Sequence, residues 1–438
     1  MRYYSTNNPS LFTSLKEAVL QGLAADNGLY MPERIPALSG DFFEGIHEMT
    51  FQEIATVVAE KFTGEDIPSV ELKRIIDHTI QFDAPLVPLE KNISALELFH
   101  GPTMAFKDFG ARFMSQLLGY FSRQIKREIV ILVATSGDTG SAVANGFLGV
   151  EGIRVIVLYP SGKVSDIQEK QFTTLDRNIT ALEVDGTFDD CQRLVKSAFL
   201  DQELRDAYFL TSANSINIAR LIPQSFYYFY AYAKRTQADK PVVFSVPSGN
   251  FGNLTAGLFA KRMGLPVKHF VAATNVNDVV PEYLRSGKMI PKPSRHTLSN
   301  AMDVGNPSNF ARLVDLYKND FKAITHDITG YAFTDDETVE TMLRVSKEHH
   351  YLLDPHGAIG YLGLRQYLSQ HDSDVNGIFL ETAHPAKFKD VVEKAIGSTI
   401  PLPSTLEKFV KGKKQSTLIA SDFAGFKRSL TEQLGRGK

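Results

Sequence analysis

The chain is expected to fold as an α/β protein, with two subdomains built on parallel or mixed sheets and a mostly helical N-terminal region before them. Three observations carry that expectation. Residues 1–80 show helical patterns and no convincing run of strands. From residue 93 short apolar runs alternate with helical segments, and within that zone one strand–loop–helix motif occurs twice. Length and composition agree: 438 residues, 43% of them hydrophobic and 22% charged, can bury a large core shared between two or three domains.

In the first zone, "SLKEAVLQGLA" and "FQEIATVVAEKF" repeat apolar residues at helical spacing, separated by the Gly/Pro-bearing stretch "ADNGLYMPERIPALSG". In the second, at 93–400, the runs "REIVILVA", "IRVIVLY", "NITALEV", "PVVFSV", "KHFVAAT" and "NGIFLE" have strand length and little alternation, as parallel strands covered on both faces do. The run "FYYFYAYA" at 226–233 is far too short to cross a bilayer and reads as a buried aromatic helix. Residues 401–438 form a C-terminal extension, whose "EKFVKGKKQST" reads as a solvated basic face. No solenoid period and no low-complexity tract is visible.

Charge and cysteine count narrow the partners. A formal net charge of −3, with no long Lys/Arg block, offers no field for nucleic acid. With no membrane-length apolar segment either, a small-molecule partner is expected. The single cysteine, Cys191, excludes an internal disulfide framework and a thiolate metal cluster, and fits a reducing compartment. The polar start "MRYYSTNNPS" is no secretory signal, so a cytoplasmic protein is expected, with no metal and with monomer and homodimer both open.

The stretch "LELFHGPTMAFKDFGARFM", 97–115, sets Lys107 between Phe106 and Phe109 where an apolar run turns into a helical pattern. An ammonium there meets the positive end of a helix dipole, and aromatic neighbours strip it of water; both lower its pKa. The alternative is a lysine that snorkels to solvent.

The repeated motif consists of "VATSGDTGSAVANGF" at 133–147 and "SVPSGNFGNLTAGLF" at 245–259, each a strand, then Ser-Gly-Asp/Asn-x-Gly, then a helix. Small residues at a helix N-terminus let backbone N–H groups converge on an anion, and ligands of open α/β sheets bind at that edge. Ordinary turns and N-caps use the same residues. Asp138 puts a carboxylate where an anion would be repelled, whereas Asn250 is neutral in the matching place, so the first loop is not simply a phosphate cradle. Neither loop has the G-x-x-x-x-G-K-[ST] or G-x-G-x-x-G form.

An upstream lysine, a Ser-Gly-Asp loop after the next strand and a later Gly/Asn-rich loop together resemble the fold-type II pyridoxal phosphate enzymes, which share a tryptophan synthase β-like fold. More closely, "GLAADNGLYMPERIP", "HGPTMAFKDFGARF", "ATSGDTGSAV", "NSINIARL", "PSGNFGN", "LDPHGAIGY" and "ETAHPAKF" resemble the motifs of the longer microbial and fungal form of the threonine synthase family, over nearly the whole chain. Asn27 stands where that family more usually has glycine. The resemblance implies a lyase that uses pyridoxal 5'-phosphate to make threonine from O-phosphohomoserine and water. It implies that Lys107 binds the cofactor covalently and acts as the base, that Gly249, Asn250, Phe251, Gly252 and Asn253 cradle its phosphate, that Asp138 lies beside it, and that Thr382 faces its ring nitrogen. Thr382 also reads as a plain strand-end residue. The resemblance further implies that Asn214, Ser215 and Arg220 contact the substrate phosphate, with Thr135, Ser136 and Thr139 supporting its carboxylate or phosphate. A guanidinium matches phosphate oxygens with a fork of donors; Asn214 as an N-cap and Arg220 as a surface ion-pair partner are the competing readings. His356 and His384 stay unassigned. Two other functions remain open: a serine/threonine dehydratase of the same fold, which needs no second phosphate site, and a nucleotide-dependent dehydrogenase without pyridoxal phosphate.

Overall fold

Two helix starts in the N-terminal region are closed by reciprocal capping. Ser14 and Glu17 cap the helix Leu15–Gln21, and Thr50 and Glu53 cap the helix Phe51–Thr63; in each pair the hydroxyl accepts from the N–H of the helix's third residue, the glutamate, while the glutamate carboxylate accepts from the cap N–H. The second helix buries Ile54, Ala55, Val58, Ala59 and Phe62 on one stripe. The computed structural model describes all residues except 124, 126, 372 and 436–438, the last three lying in the expected C-terminal extension.

The N-terminal region is not free of strands. Arg2–Ser5 pairs antiparallel with both Phe12–Ser14 and Tyr30–Pro32 in a small sheet, which Tyr3 docks on the helix Phe51–Thr63 by donating its hydroxyl to Phe62 O at 2.7 Å. Strands of three or four residues are too short for a period of two to register in the sequence. Asn27, beside this sheet, takes a left-handed backbone with φ of 64°, which asparagine tolerates better than most residues and which accounts for a glycine being usual there.

All six apolar runs form strands, divided between two sheets. The first sheet runs Ile328–Ala332, Val267–Thr274, Val242–Pro247, Asn376–Glu381, Ile93–Glu97, Leu86–Glu90, parallel except for the last strand. The second is wholly parallel: Thr417–Ala420, Ile179–Asp185, Ile153–Pro160, Ile129–Ala134, Phe209–Ser212. The C-terminal extension is therefore built into the second sheet. Its strand lines up with Leu182–Asp185, and the helix Phe423–Gly435 lays Phe426, Leu430 and Leu434 on Val130, Ile156 and Leu182. Within "EKFVKGKKQST", Lys414 is not simply solvated, since it pairs with Glu169 at 2.6 Å and Glu183 at 2.8 Å.

Strand register decides where the site lies. Pro247 and Ala273 are paired, as are Glu381 and Glu97, so the loops after those strands leave one edge of the first sheet. Ala134 pairs with Leu158 and Leu132 with Ser212, which brings the loops after both of these strands to one edge of the second sheet. The two edges face each other, because Asn250 bonds Ser215 and Lys387 bonds Asp138 across them. No helix of the described residues is long and apolar enough to cross a membrane.

Phe426 is fully buried in the second core. Phe426→Ala should lower unfolding stability by about 3–5 kcal/mol in a urea titration; a loss below about 1 kcal/mol would mean that the C-terminal helix is only loosely docked.

Candidate active site

Lys107 is the first residue of the helix Lys107–Ser122, whose start has no side-chain cap, so its amine sits at an open helix N-terminus. The side chain is 17% exposed and Nζ lies 5.8 Å from the centre of the Phe106 ring. Burial lowers its pKa; Asp138 opposes that shift, and Lys387 and Arg220 add to it. The helix start is fixed from behind by Phe106 N–H donating to Thr382 O at 2.8 Å and by a bridge between Ala105 and Ala383. Thr382, buried just past the end of its strand, thus stands directly beside the lysine turn.

Asp138 opens the helix Asp138–Phe147 and neither caps it nor forms an Asx turn. Its Oδ1 accepts from Lys387 Nζ at 2.8 Å and Gln168 Nε2 at 2.7 Å, and its Oδ2 lies 3.9 Å from Lys107 Nζ. Burial alone would raise the carboxyl's pKa, but Lys387 and Lys107 hold it well below the usual carboxylate range. In the same loop, Thr135 Oγ1 accepts from Gly137 and Gly140 N–H at 3.0 and 2.8 Å, so its hydroxyl organises the loop itself. Ser136 and Thr139 are half-buried, with no side-chain bond to the described residues.

Of the residues expected on the substrate phosphate, Asn214 and Ser215 lie at the facing edge. Asn214 Nδ2 donates to Ala134 O at 3.1 Å, and Ser215 Oγ accepts from Asn250 Nδ2 at 2.5 Å. The helix Ile218–Leu221 is capped by Asn217 rather than Asn214. Arg220 is no surface residue: it is 3% exposed, burial pushes its pKa down to about 10, and it makes no ion pair among the described residues. Its Nη1 donates to Ala213 O, while Nε is buried without a partner. The guanidinium fits because residue 110 of the lysine helix is glycine; a Cβ there would stand 2.8 Å from Arg220 Nε.

The second loop leads into the helix Gly252–Arg262 through Phe251, whose φ of 61° is costly for a bulky residue. That turn leaves the N–H groups of Gly249, Asn250, Phe251 and Gly252 without partners among the described residues. Asn253 Oδ1 accepts from Tyr227 and Tyr228, both at 2.7 Å, which leaves its Nδ2 buried and unpaired. At Gly249 a Cβ would come within 2.7 Å of Ala301 O. Free N–H groups at a helix start, an unpaired amide beside them and, from the other loop's side, an amine of lowered pKa fit a group that carries both a phosphate and an aldehyde, so the residues present suit pyridoxal phosphate.

Four further residues shape the site without having drawn notice in the sequence. Arg312, fully buried, donates Nε to Tyr30 O at 3.1 Å, Nη2 to Ile216 O at 2.7 Å and Nη1 to Asn309 Oδ1 at 2.7 Å and Ser215 O at 3.3 Å. Asn309 in turn packs on Gly252. Gln168 and Lys387 grip Asp138. For Lys387 a signal existed, a lysine inside the quoted "ETAHPAKF"; for Arg312, in "FARLVDL", none did. Both histidines have structural work. His356 accepts from Ala301 N–H at 3.2 Å through Nε2 and gives its Nδ1 proton to Asp354. His384 accepts from Ala386 N–H at 3.0 Å, and burial pushes its pKa down to about 4. Cys191 is buried, which pushes its thiol up to about 12. Among the described residues no cluster of His, Cys, Asp or Glu could hold a metal ion.

Comparison with known proteins adds three family matches: "Pyridoxal-phosphate dependent enzyme" over residues 81–378, "Threonine synthase N terminus" over 2–80 and "Threonine synthase, C-terminal" over 357–429. The chain is 48% identical to threonine synthase of Haemophilus influenzae, with 97% of this chain and 98% of that one aligned. The crystal structure of threonine synthase from Escherichia coli superposes with a TM-score of 0.92 at 43% identity, over 99% of this chain and 100% of that one. The pyridoxal-phosphate-bound threonine synthase from Brucella melitensis gives a TM-score of 0.92 at 35% identity, over 99% of each chain.

Arg312→Ala should destabilise the fold by about 3 kcal/mol or more, since hydrogen bonds to charged donors contribute roughly 1.5–3 kcal/mol each. Urea unfolding checks this; a loss under about 1 kcal/mol would show that the Ser215 loop is held by other contacts.

Proposed function

The chain belongs to the threonine synthase family of pyridoxal-phosphate-dependent enzymes, and on that premise we propose that it converts O-phospho-L-homoserine and water to L-threonine and phosphate, the last step of threonine biosynthesis. The observation that carries the substrate reading is Arg220: a buried guanidinium with an unpaired Nε and one bonded Nη, close enough to Lys107 to depress its pKa. A dehydratase acting on serine or threonine has no use for a second anion site of this kind.

In this reading Lys107 holds the cofactor covalently, Gly249 to Asn253 hold its phosphate through free N–H groups and the Asn253 amide, Asp138 lies beside it, and the Thr382 hydroxyl serves its ring nitrogen. Bound there, pyridoxal phosphate supplies an electron sink that makes the C–H bonds near the substrate amine acidic. Lys107 is the base for them. As a neutral amine it takes the proton from Cα, gives it up to the conjugated system that the bound cofactor would supply, and, neutral again, takes one from Cβ; it then delivers a proton to Cγ and returns one to Cα. Between those transfers the Cγ–O bond breaks, phosphate stays against Arg220, Asn214 and Ser215, and water adds to Cβ, its oxygen bonding there while the proton it loses ends on the departed phosphate. Burial at a helix N-terminus makes one lysine serve all of these transfers, because it lowers the cost of the neutral form. Ser136 and Thr139 offer free hydroxyls to the substrate carboxylate or phosphate, while Thr135 holds their loop in shape. The reading extends to a cytoplasmic enzyme working as a monomer or homodimer.

Borohydride reduction, digestion and mass spectrometry should find a phosphopyridoxyl group on Lys107; finding it on another lysine would overturn the assignment. Arg220→Ala should cut kcat/KM for O-phosphohomoserine by about one to two orders of magnitude, the equivalent of roughly 1.5–3 kcal/mol. Slow side reactions with serine or threonine should survive in the same variant. Equal losses on both substrate types would make Arg220 a support of the fold, and no loss on either would remove it from the site.

A further inference from the structure

Lys387 is the only buried lysine among the described residues, with its side chain wholly shut off from solvent. Burying an ammonium is costly unless it is paired and fully hydrogen-bonded. Its Nζ donates to Asp138 Oδ1 at 2.8 Å and to Thr103 O at 2.6 Å, and its own N–H closes the turn Pro385–Phe388 by donating to His384 O at 2.9 Å. Thr103 is pinned as well: its N–H and hydroxyl both bond Asp108, at 2.8 and 2.6 Å, and Gln171 Nε2 donates to the same carbonyl at 3.0 Å. The ammonium therefore has a fixed position in the fold, reached from the first sheet, while the carboxylate it grips opens a helix of the second.

Two consequences meet at Lys107. With Lys387 and Gln168 both on Oδ1, the Asp138 carboxylate can turn only Oδ2 toward Lys107 Nζ, 3.9 Å away. Lys107 also feels Lys387 in addition to Arg220, both of them opposing its charge. Asp138 comes from the helix Asp138–Phe147, Lys387 from the turn after the strand Asn376–Glu381, and Arg220 from the helix Ile218–Leu221; Asp108, on the lysine's own helix, is turned to Thr103. A plain structural ion pair would need only Lys387 and Asp138. The third partner, a reactive amine 3.9 Å from the free carboxylate oxygen, makes this arrangement more than a pair.

We propose that Lys387 is a positioning residue of the active site, which clamps one oxygen of Asp138 so that the other faces Lys107, and which offsets with its own charge the pull of that carboxylate on the Lys107 amine. This rests on Lys107 being the base of the proposed reaction, yet its test does not depend on turnover. The pH dependence of Lys107 acetylation by acetic anhydride, read by mass spectrometry on the full-length chain freed of cofactor, reports the ionisation of that amine directly.

Relative to wild type, Lys387→Met should move half-maximal labelling of Lys107 upward by about one pH unit or more, Asp138→Asn should move it downward, and Lys387→Arg should leave it near its original place. In the cofactor-loaded protein the pH at which the visible absorption band changes should rise in Lys387→Met as well. An unshifted Lys107 titration in a folded Lys387→Met protein overturns the proposal. If that variant does not fold, the double variant Lys387→Met/Asp138→Asn, in which the lost charges cancel, decides: a titration above that of Asp138→Asn supports the role, and one equal to it overturns the role. Failure here would leave the assignment of the reaction intact, whereas a cofactor found on a lysine other than Lys107 would remove the reaction and leave the titration result standing.

Discussion

The constraint that the proposed reaction sets on the site is electrostatic: the cleft would have to attract anions and yet keep one amine neutral. Cations draw phosphate and carboxylate, and the same cations repel a proton from Lys107. The fold satisfies both demands with one set of groups. Arg220 and Lys387 both add to the effect of burial on the lysine, and the open helix N-terminus at Lys107 points the same way. Asp138 limits the effect by giving back part of the attraction, so that the amine remains in contact with a counter-charge at 3.9 Å without being locked in a tight pair.

Much of the remaining fold serves to hold these groups at fixed distances across two sheets. The helix Phe226–Ala233 is an example. Its aromatic side chains fill the core, while Tyr227 and Tyr228 spend their hydroxyls on a single amide oxygen, Asn253 Oδ1, and so aim the unpaired Nδ2. On the other side of the same loop, Gly249 lies against the turn at Ala301, which His356 holds through Nε2 and Asp354 orients in turn. Arg312 fastens the Ser215 edge to the small N-terminal sheet through Tyr30. The N-terminal region thereby reaches the site without contributing a reactive group to it.

How far the sequence could be read follows from these contacts. Central parallel strands are buried on both faces, and runs such as "REIVILVA" carry that fact in their composition. Edge strands do not: "LVPLE" includes a proline, "TLIA" leaves most of its residues exposed, and the N-terminal strands are three or four residues long. In the site, Lys107 was legible because its aromatic flank and helix start are local in sequence. Lys387 was not, because its meaning lies in Asp138, Thr103 and Gln168, residues brought together only by the meeting of the two sheets. Arg312 sits in a helix where an arginine ordinarily marks the solvent face, and its partners are backbone carbonyls, which leave no trace in a sequence.

The difference between the two loops, an aspartate in one and an asparagine in the other, has a physical basis in the same geometry. A carboxylate at a helix start beside an anion site looks unfavourable when the loop is taken alone. In place, Asp138 would not face an anion there with its full charge: Oδ1 is covered by an ammonium and an amide, and Oδ2 is directed at Lys107. Asn250 has the opposite task. Its amide donates to Ser215 and accepts from Ser308 N–H, which ties the second loop to the facing edge without adding a charge that would oppose a phosphate held by the neighbouring N–H groups. An aspartate at 250 would lose the donor to Ser215 and set a negative charge against that phosphate, and an asparagine at 138 would leave Lys387 buried without its counter-charge. Each residue is therefore dictated by what faces it across the cleft, and the motif they share is a backbone solution to two different electrostatic problems.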